Sequence, residues 1–517
     1  MRCFMYAPNL ATHFLTVAEE NSGSNALLFA DRELRYGDLR DMALQLASKL
    51  RYLGLAKGDV FVICGEKTPT TYALLLACLL SGAPYVMLDP DNPGERQRKI
   101  LDRCRPRFLY VGEGEQAAAL SAVAADAGIE TITPERLDAS PSNLFEPPAI
   151  SGNTPAYVMF TSGSTGFPKG AVMSHSNVAR LIAWSRDRFG FGPGEILTNV
   201  NPLYFDNSVF DIYSSLFTGA ALAPFTKDET LNPAELLRGI AARGCTSWFS
   251  VPSFLMYLDS LRALSPATMP GIRRFVFGGE GYPLARLQSL HKKFADQAEL
   301  VNVYGPTECT CICSAYTVTE RDFNDLQGFP PLGALTPEFS GLVVDDDGNE
   351  VPAGQPGELV LFGPCVGLGY YNDTERTAQA FGARSRNGLY LDRSYRTGDL
   401  VTVSPQDGRI RIHGRKDNQI KHMGYRIELE EIENALCTIP GVHQAAALHG
   451  KRFGNSCLAA AISADPGLTE KGVLDQLRAR VPAYMVPSEL HFRDTLPKNA
   501  NGKLDRKLLT SEYLGET

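Results

Sequence analysis

Between Tyr157 and Gly170 the chain reads Tyr-Val-Met-Phe-Thr-Ser-Gly-Ser-Thr-Gly-Phe-Pro-Lys-Gly. Small residues let backbone approach a ligand closely. The N–H groups and hydroxyls of Thr161, Ser162, Gly163, Ser164 and Thr165 then form a concavity suited to a polyphosphate, to which Lys169 adds charge. A flexible surface turn is the plain alternative. An apolar strand at Ala156 to Phe160 and a following helix opened by Ser174 or Ser176 favour phosphate binding. The run is not a Walker A, because its lysine follows Phe167 and Pro168. Cys309, Cys311 and Cys313 sit one residue apart, without a Cys-x-x-Cys pair or a nearby histidine, which suits tetrahedral zinc poorly. Their alternation reads instead as a strand. His175, His413 and His422 have no partner spacing and are assigned no catalysis.

The elements that must carry this loop are legible as a pattern. From about residue 60 to 305, apolar runs such as Phe61 to Cys64, Tyr85 to Leu88, Leu197 to Val200, Phe275 to Phe277 and Leu300 to Val303 alternate with helix-like segments. That pattern predicts an α/β fold with doubly wound parallel sheets covered on both faces. Beyond about residue 340, Gly341 to Val344, Glu358 to Leu361 and Arg409 to Ile412 are separated by turn residues, which predicts antiparallel strands or a small barrel near 340–415. A polar break at Gly414 to Asn418 precedes a stretch long enough for an α+β domain of its own. The expected organisation is a core over 1–415, a hinge near 416–418 and a smaller, mobile C-terminal domain over 418–517.

The loop resembles the phosphate loop of the adenylate-forming superfamily, which includes amino-acid adenylation domains of nonribosomal peptide synthesis, acyl-CoA synthetases and luciferases. Further matching motifs follow in family order: Tyr85 to Pro90 with Pro93 and Arg96, Asn302-Val-Tyr-Gly-Pro-Thr-Glu308, Gly357-Glu358, and Tyr395-Arg-Thr-Gly-Asp399. After them come Gly414 to Asp417, Lys421, Gly424-Tyr-Arg-Ile-Glu428, Tyr484 to Pro487 and Asn501 to Arg506. The resemblance implies ATP and Mg²⁺ as cofactors and a carboxylate activated as its adenylate. It places adenine beside Asn302 and Tyr304, counts Gly305 among the nucleotide-binding residues, and sets the phosphates near Thr307 and the ribose hydroxyls on Asp399. Arg415 would contact the ribose or phosphate. It makes Glu308 the Mg²⁺ carboxylate and Lys503 the catalytic cation between substrate carboxylate and α-phosphate, where charge grows in the transition state. Asp417 would be the hinge about which the small domain turns. Gly424 would then line the path of an incoming thiol, while Lys421 and Arg426 either flank that path or are solvated charges.

The substrate class rests on Phe205-Asp-Asn-Ser-Val-Phe-Asp211. In amino-acid adenylation domains the matching aspartate, here Asp206, pairs with the α-ammonium; the alternative is a helix N-cap. An unpaired buried charge costs about 3–5 kcal/mol, so an acid lacking an amine should be rejected. The resemblance lines the side-chain pocket with Asn207, Phe210, Ser250, Val276, Gly278, Val303, Cys311 and Ile312. None is charged. Phe210 and Val303 take up volume, Gly278 leaves room, and Asn207 and Ser250 offer hydrogen bonds, which favours a small or medium neutral amino acid. The chain is similar to D-alanine–carrier protein ligases, but has Gly278 where they carry a cysteine.

With 517 residues, 44% of them hydrophobic and 21% charged, the chain is long enough for substantial cores, and its net charge of −8 offers no field for nucleic acid. The longest apolar stretch, Tyr72 to Leu80, is too short for a membrane span. No secretion signal is evident, and the odd number of cysteines, 11, fits reduced thiols, so a cytoplasmic location is expected. Nothing after Lys503 resembles a carrier attachment site. The expected acceptor is therefore a separate phosphopantetheinyl carrier protein. The rivals are an acyl-CoA or aryl-acid CoA ligase, and a binding protein that keeps the fold without catalysis.

Overall fold

The computed structural model describes residues 9–114, 116–141, 143–385, 389–452, 455–498 and 504–515. Two large sheets carry the N-terminal part. One is seven-stranded, with Phe61–Cys64 parallel to its neighbours Tyr85–Met87 and Phe108–Val111. The other is nine-stranded, with Ile196–Asn199, Ser247–Ser250, Arg274–Gly278 and Glu299–Tyr304 running parallel in its middle. The parallel expectation holds for these centres and fails at the edges. Asn25–Leu28 pairs antiparallel with Glu33–Arg35, and Glu299–Tyr304 pairs antiparallel with Ser314–Thr317.

The apolar stretch at Tyr72 is the helix Pro69–Ser81, buried continuously from Thr71 to Ser81. A helix apolar on all sides must be enclosed by protein or lipid. Here it packs into the largest apolar cluster with residues of both large sheets, among them Phe61, Tyr157 and Leu222. Among the described residues no helix is long and apolar enough to cross a membrane.

A five-stranded antiparallel sheet follows, with Asp392–Val403 pairing Gly357–Phe362, Phe381–Arg384 and Ile410–Arg415. The smaller C-terminal part holds a two-stranded ribbon, Gln419–His422 with Tyr425–Glu428, then the helix Leu429–Cys437 and a three-stranded sheet. Its own apolar cluster joins Ile427, Ile432, Leu436, Ala447, Ile462 and Leu477. The chain is thus a mixed α/β protein with a large N-terminal and a small C-terminal part. No strand contains the three closely spaced cysteines. Thr307–Cys309 is a 3₁₀ turn, Thr310 and Cys311 have φ of 57° and 72°, and the strand begins only at Ser314. Two consecutive left-handed residues cannot continue an extended chain, so the alternation has no strand behind it.

Candidate active site

The glycine-rich loop is the turn of a hairpin. Pro155–Thr161 enters it and Lys169–Ser174 leaves it, with Val158 opposite Val172 and Thr161 opposite Lys169. The helix expected to open at Ser174 or Ser176 starts at His175, capped by Ser174, with the return strand between it and the loop. The loop's donors are therefore backbone N–H groups and hydroxyls of a turn, without a helix terminus behind them. Gly163 is required by that turn, because a Cβ there would lie 2.0 Å from the Phe167 carbonyl oxygen.

The loop's Ser164, Thr165 and Lys169 line one cavity of about 660 Å³, and a second of about 520 Å³, which no loop residue lines, shares Thr397, Arg415 and Arg426 with it. From the residues expected at the substrate, Asp206, Asn207, Ser250, Gly278, Val303, Cys311 and Ile312 line the second cavity. Tyr304, Gly305, Thr307, Asp399 and Arg415, expected at the nucleotide, line it as well. Three expected residues lie behind its wall. Phe210 is buried in an aromatic cluster with Phe189, Phe191 and Phe249. Val276 is buried in the core, and Asn302 donates to the Pro331 carbonyl at 2.9 Å. Gly278 does not leave room: the space a side chain would need is filled by Val303, whose carbonyl oxygen would be 2.4 Å from a Cβ. Ser250 accepts from Trp248 Nε1 at 2.7 Å and donates to the Val251 carbonyl, so its hydrogen already has an acceptor.

Asp206 occupies the N-cap position of the helix Asn207–Leu216 but makes no capping bond. Its Oδ2 accepts from Thr307 Oγ1 at 2.6 Å. Burial raises the carboxyl above the usual range, a rise that the Thr307 hydrogen bond only partly offsets. Glu308 adds to it, while Arg426 and Lys421 oppose it. Such a carboxylate is stabilised by an arriving cation. Asp399 stands opposite Arg415 across two strands. It accepts from Arg415 Nη1 at 2.8 Å and from Tyr304 Oη at 2.5 Å. An ionised carboxylate has about four lone-pair sites, so acceptor capacity remains. Arg415 also grips Asp417 with two nitrogens, at 2.6 and 2.7 Å.

The small C-terminal part closes over this cavity with its ribbon. At the tip, Met423 and Gly424 have φ of 52° and 84°. The Gly424 N–H donates to Glu280 Oε2 at 3.1 Å, while Glu280 Oε1 accepts from the Ser253 N–H. A Cβ on Gly424 would meet Val251 Cγ1 at 2.7 Å, so a glycine is demanded by this contact as well as by the left-handed backbone. Lys421 Nζ lies 5.8 Å from the Tyr304 ring centre, and the side chain faces the same cavity. Burial pulls this ammonium below its ordinary range, with Asp399 and Asp206 opposing and Arg415 and Arg426 reinforcing the effect.

Glu308 is fully buried, accepting from Arg426 Nη1 at 2.7 Å and from Tyr370 Oη at 2.7 Å. Burial alone would raise its pKa, but the charges of Arg426 and Lys169 with these hydrogen bonds hold it at about 2. With the Arg426 guanidinium already paired to this carboxylate, a metal cation there would meet a like charge, so this arrangement does not fit Glu308 as a metal ligand. Among the described residues no cluster of three His, Cys, Asp or Glu side chains is placed to hold an ion. A lowered native pKa contributes stability that is present above the unfolded value near 4.5 and lost as pH falls toward 2. The docked ribbon should therefore loosen over that acidic window. Small-angle scattering across it should show the molecule expanding before global unfolding, and constant dimensions until the chain unfolds would contradict this.

Lys503 lies outside the described residues. Its described neighbour Leu504 packs beside Leu496, Leu509 and Leu514 on the small sheet, and does not line the cavity. The motif reading missed Glu280 and Glu431, and included Glu428 without giving it a role. All three carboxylates reach across to the other part of the chain, and only folding reveals that.

Residues 14–371 match the AMP-binding enzyme family, and residues 431–503 match the AMP-binding enzyme C-terminal domain. The chain is 32% identical to a D-alanine–D-alanyl carrier protein ligase of Bacillus velezensis, over 96% of this chain and 98% of that protein. It is also 32% identical to an L-proline–[L-prolyl-carrier protein] ligase of Streptomyces coelicolor, over 92% and 91% of the two chains. Among solved structures it resembles holo-PA1221, a nonribosomal peptide synthetase protein with adenylation and carrier domains bound to a vinylsulfonamide inhibitor. That match has a TM-score of 0.84 and 27% identity, and covers 98% of this chain and 84% of that one.

Proposed function

Because the chain belongs to the AMP-binding enzyme family and is a ligase, we propose that it activates a small or medium neutral amino acid and loads it onto a separate carrier protein. In the first half-reaction a substrate carboxylate oxygen attacks the α-phosphorus of ATP. The new P–O bond forms as the bond to the β-phosphate breaks, and pyrophosphate leaves. In the second, a phosphopantetheine thiol gives up its proton to solvent and attacks the acyl carbon; the C–S bond forms and AMP departs. The observation that carries the amino-acid reading is Asp206, a half-buried carboxylate at the cavity whose hydrogen-bond partner is the neutral Thr307 hydroxyl.

Asp399 would take the ribose hydroxyls with its remaining lone pairs. The ammonium on Asp206 and the ribose on Asp399 then hold opposite ends of the adenylate, which orients the acyl phosphate between them. The uncharged side-chain wall of Asn207, Val303, Cys311 and Ile312 fits a neutral substrate. D-alanine and L-proline, named for the relatives, both have this character. The docked ribbon suits the second half-reaction, because Gly424 and Lys421 line the cavity. Turning about residues 416–418 with Asp417 as hinge would bring the Lys503 segment there for the first. Magnesium would enter with the nucleotide, and Glu308 would be freed for it only after Arg426 withdraws.

Pyrophosphate exchange into ATP, measured with each amino acid and with the matching acids lacking the amine, tests this. Exchange that depends on an amino acid is expected. Exchange driven equally by the deaminated acids would make the protein a CoA-type ligase instead, and no exchange with any acid would leave a binding protein.

A second expectation concerns the ribbon tip. Gly424→Ala places a methyl group against Val251 and a left-handed backbone under strain of about 1–2 kcal/mol. Exchange should stay near normal while aminoacyl transfer to a carrier drops tenfold or more. Equal loss in both assays would mean that the tip serves the fold generally.

A further inference from the structure

Three donors of the glycine-rich loop are already engaged by the small C-terminal part, two of them by carboxylates. Lys169 Nζ lies 2.8 Å from Glu428 Oε1, and the Gly163 N–H donates to Glu431 Oε2 at 3.0 Å. Arg96 pairs with the other Glu431 oxygen, and the two side chains are only 6% and 5% exposed. Ser162 Oγ donates to the Arg426 carbonyl at 2.7 Å, and Asn434 Nδ2 donates to the Ser164 carbonyl at 3.2 Å. Glu428 also accepts from Gln419 Nε2 at 2.7 Å, which fixes its carboxylate toward the loop.

These donors, a lysine ammonium, a glycine N–H and a serine hydroxyl, are of the kind that hold phosphate oxygens. The Gly163 N–H and the Ser162 hydroxyl each have one hydrogen to donate, and both are taken here; Lys169 has three, but its single positive charge is already paired with Glu428. We propose that the loop holds two anionic ligands by turns: the polyphosphate of ATP, and then the Glu428 and Glu431 carboxylates, which occupy its donors only once pyrophosphate has gone. On this view the two glutamates are positioning residues for thiol transfer, and the departure of the first product permits the second step. The inference rests on the two-step reading above for its consequence, and on the contacts alone for the exclusion.

Linkage makes the exclusion measurable, since each ligand must weaken the other by the same factor. Titration calorimetry of the full chain with inorganic pyrophosphate is the direct probe. Glu428→Gln and Glu431→Gln should each bind pyrophosphate several-fold tighter than the unaltered protein, and the double variant about tenfold or more. Glu433→Gln is the control: that glutamate, on the same helix, pairs with Arg506 and the Ala447 N–H inside the small part. It should leave pyrophosphate affinity unchanged.

The second readout separates positioning from a mere change of local charge. The Glu428 and Glu431 variants should keep amino-acid-dependent exchange and lose tenfold or more in transfer to pantetheine from enzyme-bound adenylate. Unchanged pyrophosphate affinity in the double variant would overturn the exclusion, and unimpaired transfer would overturn the positioning role. If no amino acid supports exchange but pyrophosphate still binds tighter to the variants, the proposed reaction fails and the shared loop stands.

Discussion

Asp206→Ala should lower amino-acid-dependent exchange by roughly two to three and a half orders of magnitude, the equivalent of about 3–5 kcal/mol for a buried charge deprived of its partner. The charge left unpaired in this variant is the substrate's own ammonium. Asp206→Asn is the more telling form. An amide oxygen can still accept from Thr307 as the carboxylate does at 2.6 Å, so the wall keeps its shape and only the charge is lost. Both variants should lose most through the Michaelis constant for the amino acid, while the Michaelis constant for ATP moves little. Because burial raises the Asp206 carboxyl, the unaltered enzyme should also lose affinity for the amino acid as pH falls toward that raised value, earlier than an ordinary aspartate would allow. The sign follows from the pairing: a protonated carboxyl offers the ammonium no charge. An exchange rate in Asp206→Asn within a few-fold of normal, with the same amino-acid preference, would mean that the amine is held elsewhere.

What sequence could reveal about this site depends on how local the cause is. The strand that enters the loop, the Ser174 cap and the separate small part were legible, because apolar runs, a capping serine and a polar break act over a few residues. The loop's hairpin was not, since the return strand Lys169–Ser174 is as short and apolar as the start of a helix. Phe210 and Val276 matched motif positions, yet side-chain packing turned both into the core behind the wall. The contacts least visible in advance join residues far apart in sequence. Glu428 reaches Lys169, and Arg426 reaches Glu308. Read alone, Glu430 and Glu431 suit the first turn of the helix Leu429–Cys437, where negative charge is favoured in any case.

Lys503→Ala should abolish exchange while leaving the cavity intact. The expected loss is several orders of magnitude, because a cation beside the α-phosphate offsets charge that grows only as the acyl phosphate bond forms. The same variant should still transfer a preformed aminoacyl adenylate to a thiol. In the docked arrangement the ribbon, with Gly424 and Lys421, lines the cavity, and the described neighbour of Lys503 packs on the far sheet cluster with Leu509. Lys421 faces the cavity there beside Arg415 and Arg426, and it feels both Asp399 and Asp206. A split between the two half-reactions is therefore the signature of a small domain that trades one lysine for another. Loading the enzyme with synthetic aminoacyl adenylate and following thioester formation, alongside exchange, measures both arms. Equal loss in the two assays would place Lys503 in a general structural role. Near-normal exchange would remove it from the first step altogether.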